Sequence, residues 1–424
     1  MGATLIIRGA RLATMTGAQA QPGAEPLGLI EDGALVADGA RIAWVGPRAQ
    51  LEQAISLLGG QPPDAVVLDA AGALVTPGLV EPHSHLLFAG DRSAEHAERL
   101  AGATYLEIAA RGGGIRATVR ACAAASDEEL LAGARERLRK LVAGGVTTVD
   151  VKSGYGLSVQ AELRLLRLAR EAGEGAGCEV HPTLLGLHAV PEGFTREAWV
   201  QIVARELTPE VARLGLARGC DAFCEQGAFT QAECTTALRA GMDLGMTGHL
   251  HADQLSDGGG ALLAARLGCA SADHLERTGQ DAARAMADSG TTAVLLPLAA
   301  AFLREPRPAQ AQLFLEVGAT VALGGNLNPG TQRMEGVSLL LSAGCLIAGL
   351  TPAQALWACT RGGAEALRLA DRGRLAAGLR ADLVLFAAKG AEHLAWHGGV
   401  DHALVVVREG RVVLDRRGEP ALRC

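Results

Sequence analysis

Gly78-Leu79-Val80-Glu81-Pro82-His83-Ser84-His85 ends a short apolar run with two histidines one residue apart, just after the Pro77-Gly78 break. If Leu79 to Glu81 form a strand, the side-chain period of two carries His83 and His85 to one side, where both imidazoles can reach one ion. An H-x-H pair alone reads equally well as two solvated loop histidines. The decision therefore rests on the residues further along the chain.

Downstream, apolar runs alternate with helical patterns, the rhythm of β/α units around a parallel sheet. Eight strands are predicted, at about 77–82, 145–151, 178–185, 219–224, 245–251, 269–273, 291–296 and 319–325. Helices fall between them. Asp127 to Ala143 is introduced by Ser126 with Glu129 three residues on, the pattern of a capping box, and Gln160 to Ala172 follows the second strand. Thr351-Pro352 opens a late helix with proline at its first position. Eight such units predict a TIM (β/α)8 barrel, whose function collects at the C-terminal ends of the strands.

The termini have a different grammar. Thr4 to Ile7, Ala34 to Asp38, Arg41 to Val45 and Ala65 to Leu68 read as strands separated by turns such as Asp32-Gly33 and Asp38-Gly39, and no helix is needed among them. The last fifty or so residues repeat this with Ala381 to Phe386, Ala403 to Val407 and Arg411 to Leu414. The organisation predicted is an α/β chain with the barrel over 76–374 and a small β-sandwich domain built from 1–75 and 375–424.

Composition narrows the function classes. With 424 residues, 49% of them apolar, the chain can bury one large core plus a smaller unit. A net charge of -7, from 39 basic and 46 acidic residues with no basic block, argues against nucleic acid and gives no reason to invoke a membrane surface. No charged segment precedes a long apolar core at the N-terminus, and no apolar run reaches membrane-spanning length, so the expected location is cytoplasmic and the expected partner a small molecule. Nine cysteines without a C-x-x-C pair, Cys424 last among them, fit reduced core thiols. Cys220 and Cys224 would suit a metal clip only on a helix, and the residues around them look like a strand.

Reactive side chains recur where strands stop. The first ends at His83 and His85, the second runs into Asp150-Val151-Lys152-Ser153-Gly154-Tyr155, the third into His188, the fourth into Glu225, the fifth into His249-Leu250-His251-Ala252-Asp253-Gln254, the sixth into Asp273-His274, and the eighth into Asn326-Leu327-Asn328. Six of the 11 histidines (83, 85, 188, 249, 251 and 274) lie at these ends. His83, His85 and His251 form the natural nitrogen set for one divalent ion, Zn or Fe. His249 could replace His251, which is preferred because it leads directly into Asp253 and Gln254. A divalent ion there lowers the pKa of a bound water to about 7 and polarises a carbonyl, which predicts metal-assisted hydrolysis.

These residues resemble the amidohydrolase superfamily and, within it, the imidazolonepropionases of histidine degradation. The resemblance spans nearly the whole chain. It is carried by Pro77 to Arg92, Gly112-Gly113-Gly114-Ile115, Lys152-Ser153-Gly154-Tyr155-Gly156-Leu157, Leu185 to Pro191, His251 to Ser256, Ser271 to Glu276 and Asn328-Pro329-Gly330-Thr331. It implies metal ligation by His83, His85 and His251, substrate contacts from Arg92, Tyr155, His188, Gln254, Asn328, Gly330 and Thr331, and a homodimer. Elementary chemistry agrees with several of these roles. Arg92 offers a planar fork to a carboxylate, with a surface salt bridge as the bland alternative. Tyr155, one of two tyrosines, sits between glycines that let a loop approach a ligand, with packing as its alternative. His188 and His274 can polarise a carbonyl or move protons, or simply make structural hydrogen bonds.

One position departs from the superfamily pattern. Where an Asp follows the eighth strand beside the metal and accepts a proton, this chain reads Gly324-Gly325-Asn326. An amide oxygen can still face a metal, but it has no proton to exchange. The leading expectation is hydrolysis of 4-imidazolone-5-propanoate to N-formimino-L-glutamate, with His274, His188, Gln254 and Asn326 in the catalytic group and Asn326 also beside the metal. The alternatives are an impaired homologue that binds an imidazolone-type acid without efficient turnover, and a hydrolase or deaminase of another cyclic amide.

Overall fold

The computed structural model describes residues 2–19, 25–103, 107–108 and 111–418, and Cys424 lies outside them. Eight parallel strands pair in chain order: Leu79–Glu81 (β1), Val146–Lys152 (β2), Glu179–Leu187 (β3), Gly219–Cys224 (β4), Thr247–Ala252 (β5), Ser271–His274 (β6), Thr292–Leu295 (β7) and Val321–Leu323 (β8). This is the (β/α)8 barrel expected. β1 is short because Pro82 has no N–H to give the ladder. The expected strand at 319–325 contracts to Val321–Leu323, since Gly325 turns its N–H to the Glu81 carboxylate at 2.9 Å. Glu81 also accepts the His83 N–H, while the Asn326 N–H donates to the His83 carbonyl and the His85 N–H to the Leu327 carbonyl, each at 2.9 Å. The seam between β8 and β1 is thus knitted through the H-x-H segment itself.

The helices outside follow their caps. Asp127–Ala143 begins with both bonds of the box, Glu129 N–H to Ser126 Oγ at 3.2 Å and Ser126 N–H to Glu129 Oε2 at 2.8 Å. Its buried Leu130, Ala134, Leu138 and Leu141 recur every three or four residues and face the barrel. The helix expected at Gln160–Ala172 spans Val159–Gly173, with the Ser158 hydroxyl accepting from Ala161 N–H. Thr351 caps Pro352–Trp357 in the same way.

The chain ends meet in one mixed sheet. Its order is Arg411–Asp415, Ala403–Arg408, Leu383–Phe386, Leu74–Pro77, Leu5–Ala13, Leu29–Asp38 and Arg41–Pro47, with Val66–Asp69 alongside Leu5–Ala13. Bonds from Ile42 N–H to the Leu379 carbonyl and from Ala381 N–H to the Ala40 carbonyl fold the sheet onto itself. Ile7, Leu35, Ile42, Val75, Leu385 and Val407 fill the space enclosed. Alternation sends Val384, Phe386 and Val406 the other way, into the barrel core. It likewise sends Ile6 and Val36 outward, and there the sequence expectation fails. A helix at Leu51–Leu57 covers them with Leu51 and Ile55, because a sheet face that apolar has to be buried. At the foot of the barrel, Glu179 at the start of β3 pairs with Arg372 at 3.1 Å, Arg380 at 2.5 Å and Arg218 at 2.8 Å, fastening the barrel to the returning chain.

Candidate active site

His83 and His85 follow β1, and His251 is the fifth residue of β5; all three are buried. His85 Nε2 lies 3.3 Å from both His83 Nε2 and His251 Nε2. A tetrahedral ion with Zn–N bonds of about 2.0–2.1 Å requires its nitrogens about 3.3–3.4 Å apart, so these three atoms fit one ion. Burial holds His83 and His85 well below the usual histidine range, which keeps both neutral with a lone pair to give. The other ring nitrogens are held from behind: His83 Nδ1 is 2.5 Å from Asp273 Oδ2, and His251 Nδ1 is 3.1 Å from Asp221 Oδ2. Carboxylates in that position fix tautomer and ring orientation for metal ligation. His249 stands lower in the barrel, its Nδ1 3.0 Å from Ser271 Oγ, outside the triad. The choice of His251 over His249 follows from register: His249 is level with Ser271, His251 with Asp273.

Beneath the triad is a group the sequence reading did not assign. Lys152 is fully buried, with Nζ 2.8 Å from Asp221 Oδ2, 3.1 Å from Asp150 Oδ2 and 3.6 Å from Asp273 Oδ2. Burial opposes its charge, but the three carboxylates outweigh it and hold Lys152 above the usual lysine range. Asp150, pushed up to about 6 by burial, also accepts the Thr183 hydroxyl at 2.5 Å. One lysine thus joins the two aspartates that orient His83 and His251. The available signal was charge at alternate positions within otherwise apolar strands, Asp150 and Lys152 on β2 and Asp221 on β4.

The remaining expected site residues surround the triad unequally. His188 stacks on His85 with ring centres 5.3 Å apart, and Tyr155 lies 5.4 Å from His188 and 6.0 Å from His85. His188 Nδ1 is 3.1 Å from the Gly154 carbonyl, leaving Nε2 for the mouth, and burial brings its pKa down to about 3. Burial raises the Tyr155 phenol against the pull of Arg92, so it stays protonated. His274 ends β6 at 5.5 Å from His251 and 5.7 Å from His83. It and Leu275 hold φ of 83° and 73°, a backbone strain tolerated where neighbours over-determine it.

Arg92 and Gly330 meet directly. A Cβ at Gly330 would overlap Arg92 Nη1, so only glycine lets the guanidinium sit there. The Nε edge of Arg92 pairs with Glu95 at 2.9 Å, and Glu95 also accepts the Gly114 N–H of the glycine run. Arg99, absent from the sequence reading, donates to the Gly330 carbonyl at 2.6 Å. Asn328 is occupied within its loop: Oδ1 accepts the Gly330 and Thr331 N–H groups at 2.9 and 2.7 Å, and Nδ2 donates to the Asn326 carbonyl at 2.7 Å and to Asn326 Oδ1 at 3.2 Å. Asn326 is buried, with φ of 51°, beside the His83 backbone. Gln254 is half-buried on the loop after β5. That loop is tied by the Leu255 N–H to Glu225 Oε2 at 2.8 Å, whereas Asp253 caps the next helix through Gly260 and Ala261.

A barrel with H-x-H after its first strand and a third histidine on its fifth defines a class, and sequence comparison agrees. The amidohydrolase family model matches residues 74–413, and the chain belongs to that family. Among solved structures, an adenosine deaminase from Xanthomonas campestris with bound zinc superposes with a TM-score of 0.74 at 18% identity, over 98% of this chain and 94% of that one. A 5-methylcytosine deaminase from Klebsiella pneumoniae gives 0.69 at 20%, over 97% and 98%. At such identities the likeness is one of fold. Much nearer in sequence is the imidazolonepropionase of Anaeromyxobacter dehalogenans (strain 2CP-1 / ATCC BAA-258), 48% identical over 426 residues, covering 100% of this chain and 99% of that one. The imidazolonepropionase of Myxococcus xanthus (strain DK1622) is 48% identical over 381 residues, 89% of each. Within the amidohydrolases the chain therefore falls among the imidazolonepropionases. Among the described residues, no helix is long and apolar enough to cross a membrane.

Proposed function

We propose that this chain hydrolyses the ring amide of 4-imidazolone-5-propanoate to N-formimino-L-glutamate in histidine degradation, in the cytoplasm and as a homodimer. The observation that carries the reading is the convergence of His83, His85 and His251 under a mouth holding a protonated tyrosine and an arginine seated on a glycine loop. Water oxygen adds to the amide carbonyl carbon, the ring C–N bond breaks, and the departing nitrogen takes the proton. One Zn or Fe ion held by the three histidines supplies Lewis acidity and a more acidic water. Arg92 and Tyr155 hold the propionate, the arginine by charge and the phenol as donor. His188, neutral and fixed by Gly154, faces the ring with Nε2, and Gln254 and Thr331 close around it. His274 is placed to pass a proton. Asn328 and Gly330 shape the loop that receives Arg92.

Asn326 sets the rate. It stands where the superfamily's proton-accepting Asp is expected, and its amide cannot perform that transfer. The experiment is hydrolysis of 4-imidazolone-5-propanoate by the wild type and Asn326→Asp, with metal content measured on the same samples. Turnover is expected in both, about 10²- to 10⁴-fold faster in the Asp variant, the range for a general base. Turnover in the Asp variant alone would support the second reading, a binding protein with a disarmed site, which Asn326 itself favours. Failure of both metal-loaded proteins would refute the assignment of substrate.

A further inference from the structure

With six of the 11 histidines at strand ends, five remain, and three of these meet elsewhere in the molecule. His393 lies in the helix Ala391–Trp396, His397 directly follows it, and His402 immediately precedes the strand Ala403–Arg408. Each presents a ring nitrogen within 4.8 Å of the others. Their ring centres are 5.1, 5.3 and 5.8 Å apart, against 4.5, 5.2 and 5.4 Å for His83, His85 and His251. Bonds of about 2.0–2.1 Å to one tetrahedral ion place imidazole centres about 5.2 Å apart. The second cluster thus has the spacing of the first.

The cluster is also built as a ligand set is built. His402, the buried member, has Nε2 2.8 Å from the His397 carbonyl, which fixes the tautomer and leaves Nδ1 to bind. The frame is held from the neighbouring helix: Ser342 Oγ donates to the Ala395 carbonyl at 2.5 Å, Ser338 Oγ to the Val400 carbonyl at 2.6 Å, and Gly399 N–H to Ser338 Oγ at 3.1 Å. His402 shares a cavity with Leu79, which opens β1, and Gly144, which precedes β2. The cluster therefore lies at the N-terminal foot of the barrel, opposite the mouth.

We propose that His393, His397 and His402 form a second metal site, for a divalent transition ion of the zinc, nickel or copper(II) class, tying the last helix to the small-domain strand. Three imidazoles without carboxylate or thiolate suit those ions rather than magnesium or calcium. The test is calorimetric titration of metal-free full-length chain with Zn2+. Wild type should bind two equivalents. Exposed His397→Ala should weaken one of them at least tenfold while hydrolytic activity is kept, and His85→Ala should lose the other while retaining this one. A single equivalent in the wild type, or a second equivalent unchanged in the His393→Ala/His397→Ala double variant, overturns the proposal.

Discussion

Lys152→Met removes the one cation from a buried set of three carboxylates and nearly preserves side-chain volume, so its effect isolates charge. At an effective dielectric of about 20, unit charges 3 Å apart attract by about 5–6 kcal/mol, and Lys152 has such contacts at 2.8 and 3.1 Å and a weaker one at 3.6 Å. Most of that gain is offset by the desolvation of the groups. The net cost of removing one partner from a buried ion network is about 3–5 kcal/mol, a large part of the roughly 5–15 kcal/mol that holds a domain folded. Asp221, whose carboxyl Lys152 holds down against the pull of burial, gains a proton more readily and holds His251 less firmly, and Asp273 loses the ammonium that helps position it against His83. Metal affinity should therefore fall about 10- to 100-fold, as when such outer partners are lost. The assay pairs urea unfolding of metal-free protein with chelator competition for zinc, using the exposed Lys389→Met as control. Adding Asp150→Asn to Lys152→Met should recover part of the stability, because one uncompensated carboxylate is gone. A loss under about 1 kcal/mol with zinc affinity unchanged would refute the reasoning.

Other perturbations act on the same contacts. Arg92→Ala should lower kcat/KM for 4-imidazolone-5-propanoate about 10- to 150-fold, the loss of one charge-assisted bond, with little change in the urea midpoint; equal kcat/KM would mean no carboxylate is held there. Gly330→Ala, whose Cβ would collide with Arg92 Nη1, should displace the guanidinium and raise KM in the same direction, and an unaltered KM would count against that seat. For Glu179, burial raises the carboxyl but the His181 hydrogen bond and Arg372 and Arg380 outweigh it, so its folded pKa lies below the unfolded value of about 4.3. Its stabilisation is present above that pH and disappears as pH falls through the folded pKa. The gap in urea midpoint between wild type and Glu179→Gln should narrow on acidification from pH 7 to 3, and a constant gap would exclude Glu179 as the acid-sensitive fastening.

Much of the molecule is decided by local pattern. Residues of alternating or continuous apolar character between turns are enough to mark eight strands, and Ser126 with Glu129 marks a helix start, because both signals rest on contacts within a few residues. His83 and His85 could be assigned to one face from period alone. The helix at Leu51–Leu57 escaped because its cause lies in Ile6 and Val36, residues of other strands whose outward face it covers. The meeting of Lys152 with Asp221 and Asp273 escaped for a related reason. Periodicity tells which side of a strand a residue occupies, not its depth in a closed barrel.

Depth is fixed by the stagger between neighbouring strands, and only the assembled sheet sets it. That stagger puts His251 level with Asp273 and His249 level with Ser271, bringing one histidine into the triad and leaving the other outside it. It likewise gathers one lysine and three aspartates from three strands under the ion site, and packing at the barrel foot brings His402 to His393 and His397. The sequence alone determined the barrel, the composite sheet and the kind of chemistry at the strand ends, since those depend on near-neighbour order. The tertiary structure decided which charges meet, because side chains distant in sequence become partners only when barrel closure sets their heights.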